Sequence, residues 1–445
     1  MPRLTSRGHA IDVFVDATRV RPQPAPSEPP PAGAWRVIDA HDFVWRQARG
    51  HYDLAVYQIG NSHLHRFTWP YLFRYPGLAV LHDARLHHAR AEVLIASDRP
   101  ADYRAEFAFN HPGVDSAAAG FALLGLEGPF FYQWPMVRGV LASAKVTAAH
   151  SAGVVAALRR DWPGMTIEHI ALGEGAAHLD VARARRAFRS AHTIPADAVV
   201  FGAFGALSAE KRVVEILSAF RTIRTWLPNA WLLLAGAADP MLGLSDRLTE
   251  LRISGAVTRL PAANDAEFDR AIAASDVVLS LRWPTALETS GPWVRALALG
   301  RATIVIDLPH QTHVPALDPQ TWRRHAPSDD LSPDADAHAV TVALDLRDIN
   351  HSLRLAMRRL GSDSALRDRL GAAARAWWER EHTVDRMVDD YERVMAQAAG
   401  RPRPAPAPDW PPHLTPDPMA PIRRVLDADV WRHAAVSDRL VDLDS

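Results

Sequence analysis

The sequence has no cysteine and almost no lysine. Without cysteine the chain can form no disulfide, thiolate zinc site, iron–sulfur cluster or thiol nucleophile. Of its 50 basic residues only Lys145 and Lys211 are lysine, so a lysine beside a glycine-rich turn is noticeable. The 51 acidic residues bring the net charge to −1, which argues against a dedicated nucleic-acid-binding protein.

Long apolar runs are also missing. No segment reaches about 18 uninterrupted apolar residues, and the first ten residues contain Arg3, Arg7 and His9 but no apolar run. The sequence therefore predicts neither a membrane span nor a signal peptide, and we expect a cytoplasmic protein. A chain of 445 residues, 48% of them hydrophobic, is long enough for two globular domains.

Short apolar runs rich in β-branched residues alternate with helical patterns, which is typical of parallel βαβ units. The predicted strands are 11–15, 54–59, 78–81, 146–149, 167–171, 199–204, 231–235, 256–260, 277–281 and 303–306. The predicted helices include 209–226, 265–274, 292–299 and one or two long ones within 363–397. The predicted fold class is therefore α/β, with two Rossmann-like, doubly wound parallel sheets.

Two proline-rich segments interrupt this pattern. Residues 21–33 predict an extended loop, and residues 401–421 predict a linker or an extended strap. The last segment, 422–443, has the pattern of a modest amphipathic helix.

The most informative stretch, VVFGAFGALSAEKR at 199–212, joins a strand to a helix. Gly202 and Gly205 allow close approach, and Ser208 is placed to cap the helix, which puts Lys211 in its first turn. Free backbone N–H groups and a flexible cation form a phosphate cradle; a solvated surface lysine is the alternative. Neither the P-loop nor the GxGxxG spacing is present, which disfavours a nicotinamide-dependent oxidoreductase.

A second strand-to-helix turn lies within 279–306. Glu288 stands just before Thr289 and Ser290, either of which can cap the next helix. Ligands of open α/β sheets bind at the carboxyl edge of the strands, so we expect the two turns to share one crevice. Such a crevice suits a diphosphate, with Glu288 available to a sugar hydroxyl. The alternative is that Glu288 only complements the helix dipole.

Polar residues also follow two strands of the first half. Asn61 and His65 come after the strand that ends at residue 59, and His82 and Asp83 end the next strand. These residues fall where a parallel sheet presents its functional edge. For His82, a packed and hydrogen-bonded structural histidine is the alternative.

Other strings carry less weight. His87 and His88 have the pattern of a helix surface. Three Asp-x-Asp pairs follow no buried strand, so we expect no metal site; they lie at 334 and 336, 427 and 429, and 442 and 444. Neither HExxH nor GxSxG occurs.

The order of these motifs resembles a known family. GNSHLH, PGLAVLHD, FGALSAEKR and PTALETSG together resemble the bacterial retaining glycosyltransferases of the GT-B fold, in family four, over residues 11–397. The resemblance implies two Rossmann-like domains that face a cleft. The expected parts are an acceptor domain at 1–172, a nucleotide-sugar donor domain at 173–375, a helix at 376–400 that crosses back to the first domain, a linker at 401–421 and a terminal helix at 422–445.

The resemblance also implies roles for the candidate residues. Those near the reacting atoms would be His82, Lys211 and Glu288. Further donor-side residues would be Gly205, Arg212, Thr289, Ser290 and Gly291, and acceptor-side residues would be Asn61, His65 and Asp83. Such enzymes carry an arginine five positions before the lysine, where this chain has Ala206, and Arg212 is the candidate replacement. They also commonly carry a second glutamate near the position of Arg295.

The activity implied is transfer of a sugar from a nucleoside-diphosphate donor to a glycan, lipid-linked or other acceptor. The resemblance implies retention of configuration, no metal ion or other cofactor, and a place in cell-surface polysaccharide or glycoconjugate assembly. Lipid-linked acceptors would require peripheral contact with the inner face of the membrane. The alternative is a catalytically inactive scaffold or an N-terminally truncated form, because only ten residues precede the first predicted strand, where the fold opens with a further strand and helix.

Overall fold

The computed structural model describes residues 1–16, 33–50, 52–115, 117–175, 179–325 and 339–415. Residues 21–32 of the first proline-rich segment, the predicted helix at 422–443 and all three Asp-x-Asp pairs lie outside these residues. The part of the chain that is described folds as parallel sheets flanked by helices.

The strands of the described residues fall into three sheets. They are β1 (Ile11–Val15), β2 (Trp35–Asp39), β3 (Val56–Ile59), β4 (Leu78–Leu81), β5 (Val146–Ala149), β6 (Ile167–His169), β7 (Val199–Phe204), β8 (Ala230–Ala235), β9 (Val257–Leu260), β10 (Val277–Ser280), β11 (Ala302–Ile306), β12 (Ala316–Leu317), β13 (Arg324–His325) and β14 (Thr341–Leu344). One sheet has the order β3-β4-β5-β6 and another the order β13-β12-β14-β11-β10-β7-β8-β9. All pairings are parallel except that of β12 with β13.

Helices cover both large sheets. They are α1 (Pro2–Ser6), α2 (Phe43–Ala48), α3 (Thr68–Arg74), α4 (His87–Leu94), α5 (Pro100–Asn110), α6 (Ala118–Leu123), α7 (Pro129–Gln133), α8 (Arg138–Ser143), α9 (Ala152–Asp161), α10 (Val181–Ala191), α11 (Val213–Ile223), α12 (Leu244–Glu250), α13 (Asp265–Ala274), α14 (Gly291–Ala298), α15 (Ile349–Ser362), α16 (Ser364–Glu381) and α17 (Val384–Ala399). None of the described helices has the length and apolar composition needed to cross a bilayer.

The larger sheet is apolar on both faces, as its uninterrupted hydrophobic strands predict. In β7, Phe201 packs in one buried cluster with Phe220 of α11, and Val200 packs in another with Ile272 of α13. Alternate side chains of one strand therefore enter two cores on opposite faces of the sheet. Strand β7 also pairs in parallel with β10, which places the carboxyl ends of the two strands side by side.

The start of the chain differs from the sequence prediction. Strand β1 pairs with β2, which the sequence analysis did not predict, and the two form their own parallel pair rather than joining the sheet of β3 to β6. Strand β2 is exposed or half-buried at four of its five positions, so it lacks the continuous apolar run used to recognise the other strands.

The last two helices connect the halves of the molecule. Helix α16 packs on α14 and β11, whereas α17 packs on β4 and β5 of the smaller sheet. Val394 and Ala398 of α17 are buried in one cluster with Val80 and Ala148. The two large sheets are therefore joined through a helix pair as well as through the chain between β6 and β7.

Residues 401–415 then run along the first half of the molecule. The ring of Trp410 lies 5.7 Å from Phe73 and 5.1 Å from Phe109, measured between centroids. Asp409 accepts a hydrogen bond of 2.6 Å from the guanidinium of Arg138. This part of the proline-rich segment is thus held against the helices that surround the smaller sheet.

Candidate active site

A pocket of about 440 Å³ opens where β7, β10 and β11 end. Lys211, from the turn after β7, and Glu288, from the loop after β10, both line it. The two turns are tied directly, because the backbone N–H of Trp283 donates to the carbonyl oxygen of Glu210 at 2.7 Å. The carboxyl edge of the larger sheet therefore brings an ammonium group and a carboxylate into one pocket, as the sequence predicts.

Lys211 lies in a turn and not in the first turn of a helix. Helix α11 begins only at Val213, and Arg212 before it has a left-handed φ of 57°, which breaks helical continuity with the preceding residues. The prediction that Ser208 caps this helix is wrong for that reason. The Nζ atom of Lys211 instead donates 2.5 Å to the carbonyl oxygen of Phe204 at the end of β7.

Gly205 makes room for this lysine. Its φ is +86°, and a Cβ built there would lie 2.5 Å from Nζ of Lys211. Burial, followed by the positive charge of Arg282, lowers the pKa of Lys211 to about 8, and the charge of Glu288 opposes this shift. At neutral pH the site thus holds a largely desolvated ammonium group, which attracts an anion more strongly than a hydrated one does.

Glu288 is held at both carboxylate oxygens. Oε2 accepts a 2.8 Å hydrogen bond from the hydroxyl of Thr285, and Oε1 forms an ion pair of 2.5 Å with Nε of Arg282. Next to it, Ser290 caps α14, where its hydroxyl accepts the N–H of Trp293 at 3.4 Å. The amino end of α14 adds its positive partial charge to this side of the pocket.

Of the other residues predicted for the donor side, some line the pocket and others do not. Ser290 lines the pocket, whereas Thr289 and Gly291, at the start of α14, are not among its lining residues. Arg212 is not among them either, and its guanidinium forms a 2.6 Å ion pair with Glu215. Arg295 pairs with Glu174 at 2.9 Å.

Asp83 of the first half lies close to the loop that carries Glu288. The backbone N–H groups of Ala84 and Arg85 donate to the carbonyl oxygen of Ala286 at 2.8 and 3.1 Å. Burial raises the pKa of Asp83 to about 6; the N–H of Asn61, which donates to it at 2.6 Å, opposes the shift, and the charge of Glu288 adds to it. The carboxyl groups of Asp83 and Glu288, from the two halves of the chain, therefore interact electrostatically.

His82, which follows β4 directly, is packed among other histidines of the first half of the chain. Nε2 of His82 lies 2.7 Å from the side-chain oxygen of Gln58, and its ring lies between those of His65 and His150, at 5.8 and 5.1 Å. Burial, followed by the charges of His150 and His65, lowers the pKa of His82 to about 4. His82 is thus a neutral imidazole at pH 7, and it is not among the residues that line the pocket of Lys211.

Sequence reasoning missed several residues near the cleft. His87 is fully buried, not on a helix surface, because its ring stacks on Phe131 at 4.4 Å. Nδ1 of His88 lies 2.9 Å from the side-chain nitrogen of Asn61. Arg282 lies two residues after the end of β10 and lines the pocket, and its position after a buried strand was the available signal.

Tyr132 is a further residue of this region. Burial, together with the negative charge of Glu210, raises its pKa to about 12, and Arg282 opposes the shift. The phenol is therefore neutral at pH 7. No group of three or more His, Asp or Glu side chains within the described ranges could hold a metal ion.

Asp83→Asn is expected to raise Tm by a few degrees at pH 7.5. The folded-state pKa lies above the usual value, so the buried carboxylate costs stability above pH 6, and this cost decreases as the pH is lowered from 6 to 4. Asparagine keeps an acceptor for the N–H of Asn61 and removes the charge. Thermal melts between pH 4 and 8 measure the difference.

The matched control is Asp363→Asn. Asp363 caps α16, accepting the N–H of Leu366, and this hydrogen bond holds its pKa below the usual range. The control substitution is expected to leave Tm unchanged or lower it at pH 7.5. A Tm for Asp83→Asn below that of the unsubstituted protein at this pH would contradict the loss of stability assigned to the buried Asp83 carboxylate.

Comparison with known proteins adds information on the fold. No protein-family model and no curated protein sequence matches the chain. Among solved structures, sucrose-phosphate synthase from Thermosynechococcus elongatus aligns with a TM-score of 0.60 at 14% identity, over 89% of this chain and 90% of that one. WaaG, a glycosyltransferase involved in lipopolysaccharide biosynthesis, aligns with a TM-score of 0.56 at 14% identity, over 89% and 93%.

A third similar structure is that of HepE from Anabaena, in complex with UDP and glucose. It aligns with a TM-score of 0.53 at 13% identity, over 87% of this chain and 100% of that one. Together with the two parallel sheets described above, these similarities show that the chain has the GT-B fold, with two Rossmann-like domains facing a cleft. The predicted fold class is confirmed.

Proposed function

We propose that the protein is a glycosyltransferase that moves a sugar from a nucleoside-diphosphate donor to a glycan or lipid-linked acceptor. The observation that carries this proposal is the shared pocket of Lys211 and Glu288 at the carboxyl edge of the larger sheet. The GT-B fold supports it, since WaaG is a glycosyltransferase of lipopolysaccharide biosynthesis and HepE holds UDP and glucose. A role in surface polysaccharide or glycoconjugate assembly belongs to the same proposal.

The pocket supplies what departure of a diphosphate requires. As the bond between the anomeric carbon and the phosphate oxygen breaks, negative charge develops on the diphosphate. The ammonium of Lys211 and the amino end of α14 would stabilise that charge, so no metal ion is needed in the proposed reaction. Glu288 would accept a hydrogen bond from a hydroxyl of the sugar.

The proposed transfer retains the anomeric configuration. The acceptor oxygen forms its bond to the anomeric carbon on the face that the diphosphate leaves, and the acceptor proton passes to the departing phosphate oxygen. In this scheme no protein base is required. Asp83 and Asn61 would orient the acceptor from the first domain. His82, whose ring is packed between those of His65 and His150, would support the shape of the site and would not donate a proton.

A thermal melt with UDP, GDP, ADP and their sugar derivatives tests the donor class. A ligand at 100 times its Kd adds about 2.7 kcal/mol to the free energy of unfolding, which raises Tm by several degrees for domains of this size. The ligand that raises Tm most is then assayed as a sugar donor for release of nucleoside diphosphate. No shift with any diphosphate would favour a scaffold protein that has the fold without the activity.

The pH dependence of binding provides a separate prediction. Lys211 has a lowered pKa of about 8, so its ammonium form decreases as the pH rises through that value. We expect the affinity for the best nucleoside diphosphate to be constant up to about pH 7.5 and to fall up to tenfold per pH unit above pH 8. Isothermal titration between pH 6.5 and 9.5 measures this.

Lys211→Arg is the control for the pH profile. A guanidinium remains protonated throughout this range, so the variant is expected to lose the decline above pH 8 whatever its absolute affinity. An affinity of the unsubstituted protein that is flat up to pH 9.5 would remove Lys211 from the phosphate site.

A further inference from the structure

The pocket contains a second cation that sequence reasoning did not single out. Of the described residues that line it, only Lys211 and Arg282 carry a permanent or near-permanent positive charge at pH 7. The backbone bond between Trp283 and Glu210 joins the loop of Arg282 to the turn of Lys211. The two cations are close enough for the charge of Arg282 to lower the pKa of Lys211.

Arg282 has one ionic partner and unused donors. Its Nε lies 2.5 Å from Oε1 of Glu288, and its guanidinium makes no other ion pair or hydrogen bond with the described part of the chain. Its side chain is 39% exposed, against 18% for Glu288. A guanidinium has five N–H donors in a fork that fits two phosphate oxygens, so most of its donors have no partner among the described residues and can bind an anion in the pocket.

Arg212, the arginine that the sequence analysis predicted for the donor site, does not lie in the pocket lining. It pairs with Glu215 at 2.6 Å instead. The turn that carries Lys211 thus brings one cation to the pocket, and the loop after β10 brings the other.

We infer that Arg282 binds the donor diphosphate together with Lys211 and, in doing so, releases Glu288 to bind the sugar. This inference rests on the proposed function. Without an anion, Arg282 neutralises Glu288 and occupies one of its oxygens. A diphosphate carries more negative charge than a single carboxylate and presents oxygens at bidentate spacing, so it competes for the same guanidinium. Recognition of the sugar hydroxyl then depends on prior binding of the diphosphate.

Titration with inorganic pyrophosphate and with UDP, GDP and ADP tests the first part. Arg282→Gln is expected to weaken binding of the tightest of these ligands about 10- to 100-fold, as for loss of a charge-assisted hydrogen bond. Arg282→Lys is expected to recover part of the affinity. Arg347→Gln removes an exposed arginine that pairs with Asp345, and serves as the unaffected control.

Arg212→Gln decides between the two arginines. If Arg212→Gln weakens binding as much as Arg282→Gln is expected to, or if Arg282→Gln binds as well as the unsubstituted protein, the inference is overturned. If the unsubstituted protein binds none of the four ligands, the proposed function fails instead, and the two failures are thereby distinguished. Tm of each variant without ligand checks that the fold is intact.

Glu288→Gln tests the release of the carboxylate. Because the substitution removes the partner that competes for Arg282, pyrophosphate is expected to bind about three- to fivefold more tightly, the strength of a partly exposed ion pair. In the double variant Arg282→Gln/Glu288→Gln this gain is expected to disappear. An equal gain in both backgrounds would mean that Glu288 acts only by general repulsion, which would overturn the release of Glu288 by Arg282.

Discussion

Lys211→Ala is expected to reduce release of nucleoside diphosphate from the sugar donor by about 10² to 10³-fold. Removing one preoriented donor to a developing oxyanion typically has an effect of this size, and Lys211 lies in a partly desolvated pocket where each charge counts for more than in water. The effect is expected mainly on kcat, because the negative charge on the diphosphate grows as the bond to the sugar breaks.

The fold is expected to survive this substitution. Burial already lowers the pKa of Lys211, which means that holding its charge inside costs stability, so alanine should leave Tm unchanged or slightly higher. Lys145→Ala, at the other lysine of the chain, removes an ammonium group just before β5 and is the matched control. Turnover of Lys211→Ala within twofold of that of Lys145→Ala would refute the assigned role.

Gly236→Ala is expected to give the largest loss of stability, about 3 kcal/mol or more, with a Tm lower by roughly 6 to 12 °C. Gly236 follows β8 with a φ of +139°, and a Cβ there would lie 2.1 Å from the carbonyl oxygen of Gly205. The collision is with backbone, so no side chain can rotate to relieve it. Displacement of Gly205 should also move the ammonium of Lys211 and weaken nucleotide binding.

Gly243→Ala is the control for backbone conformation alone. Gly243 also has a positive φ, +53°, but a Cβ there would meet nothing within 4 Å. The control is expected to lose only about 1 kcal/mol. Chemical denaturation of both variants measures the difference, and equal losses would show that the contact with Gly205 contributes nothing.

Local patterns explain why much of the fold could be predicted. Strands β7 and β10 are buried on both faces, so their sequences are continuous apolar runs that can be recognised without a partner. Since parallel strands end at a common edge, placing Lys211 and Glu288 after two buried strands predicted that they share this edge, whereas the direct pairing of β7 with β10 is a property of the sheet topology. Strand β2 lacks such a run, and its pairing with β1 depends on residues distant in sequence.

The misplaced residues depend on conformation and contacts that composition does not encode. The left-handed φ of Arg212 ends the turn and sends its side chain to Glu215, a conformation that arginine adopts rarely. His87 is buried because aromatic side chains of α7, about forty residues later in the chain, cover it. Arg282 lies within the stretch 279–306 that the sequence analysis considered, yet its neighbours Lys211 and Tyr132 come from other segments, so only the folded structure assigns it to the pocket.

The two hydrogen bonds that the carbonyl oxygen of Ala286 accepts make the loop of Glu288 sensitive to hinge motion. A rotation that separates the two large sheets must break these bonds or pull the loop with it, and the bond from the N–H of Trp283 to the carbonyl oxygen of Glu210 would pass that movement on to the turn of Lys211. The positions of Glu288 and, through this bond, of Lys211 therefore both depend on the contact between the two halves of the molecule. In the proposed enzyme, opening of the cleft would therefore disturb both charged residues of the pocket together.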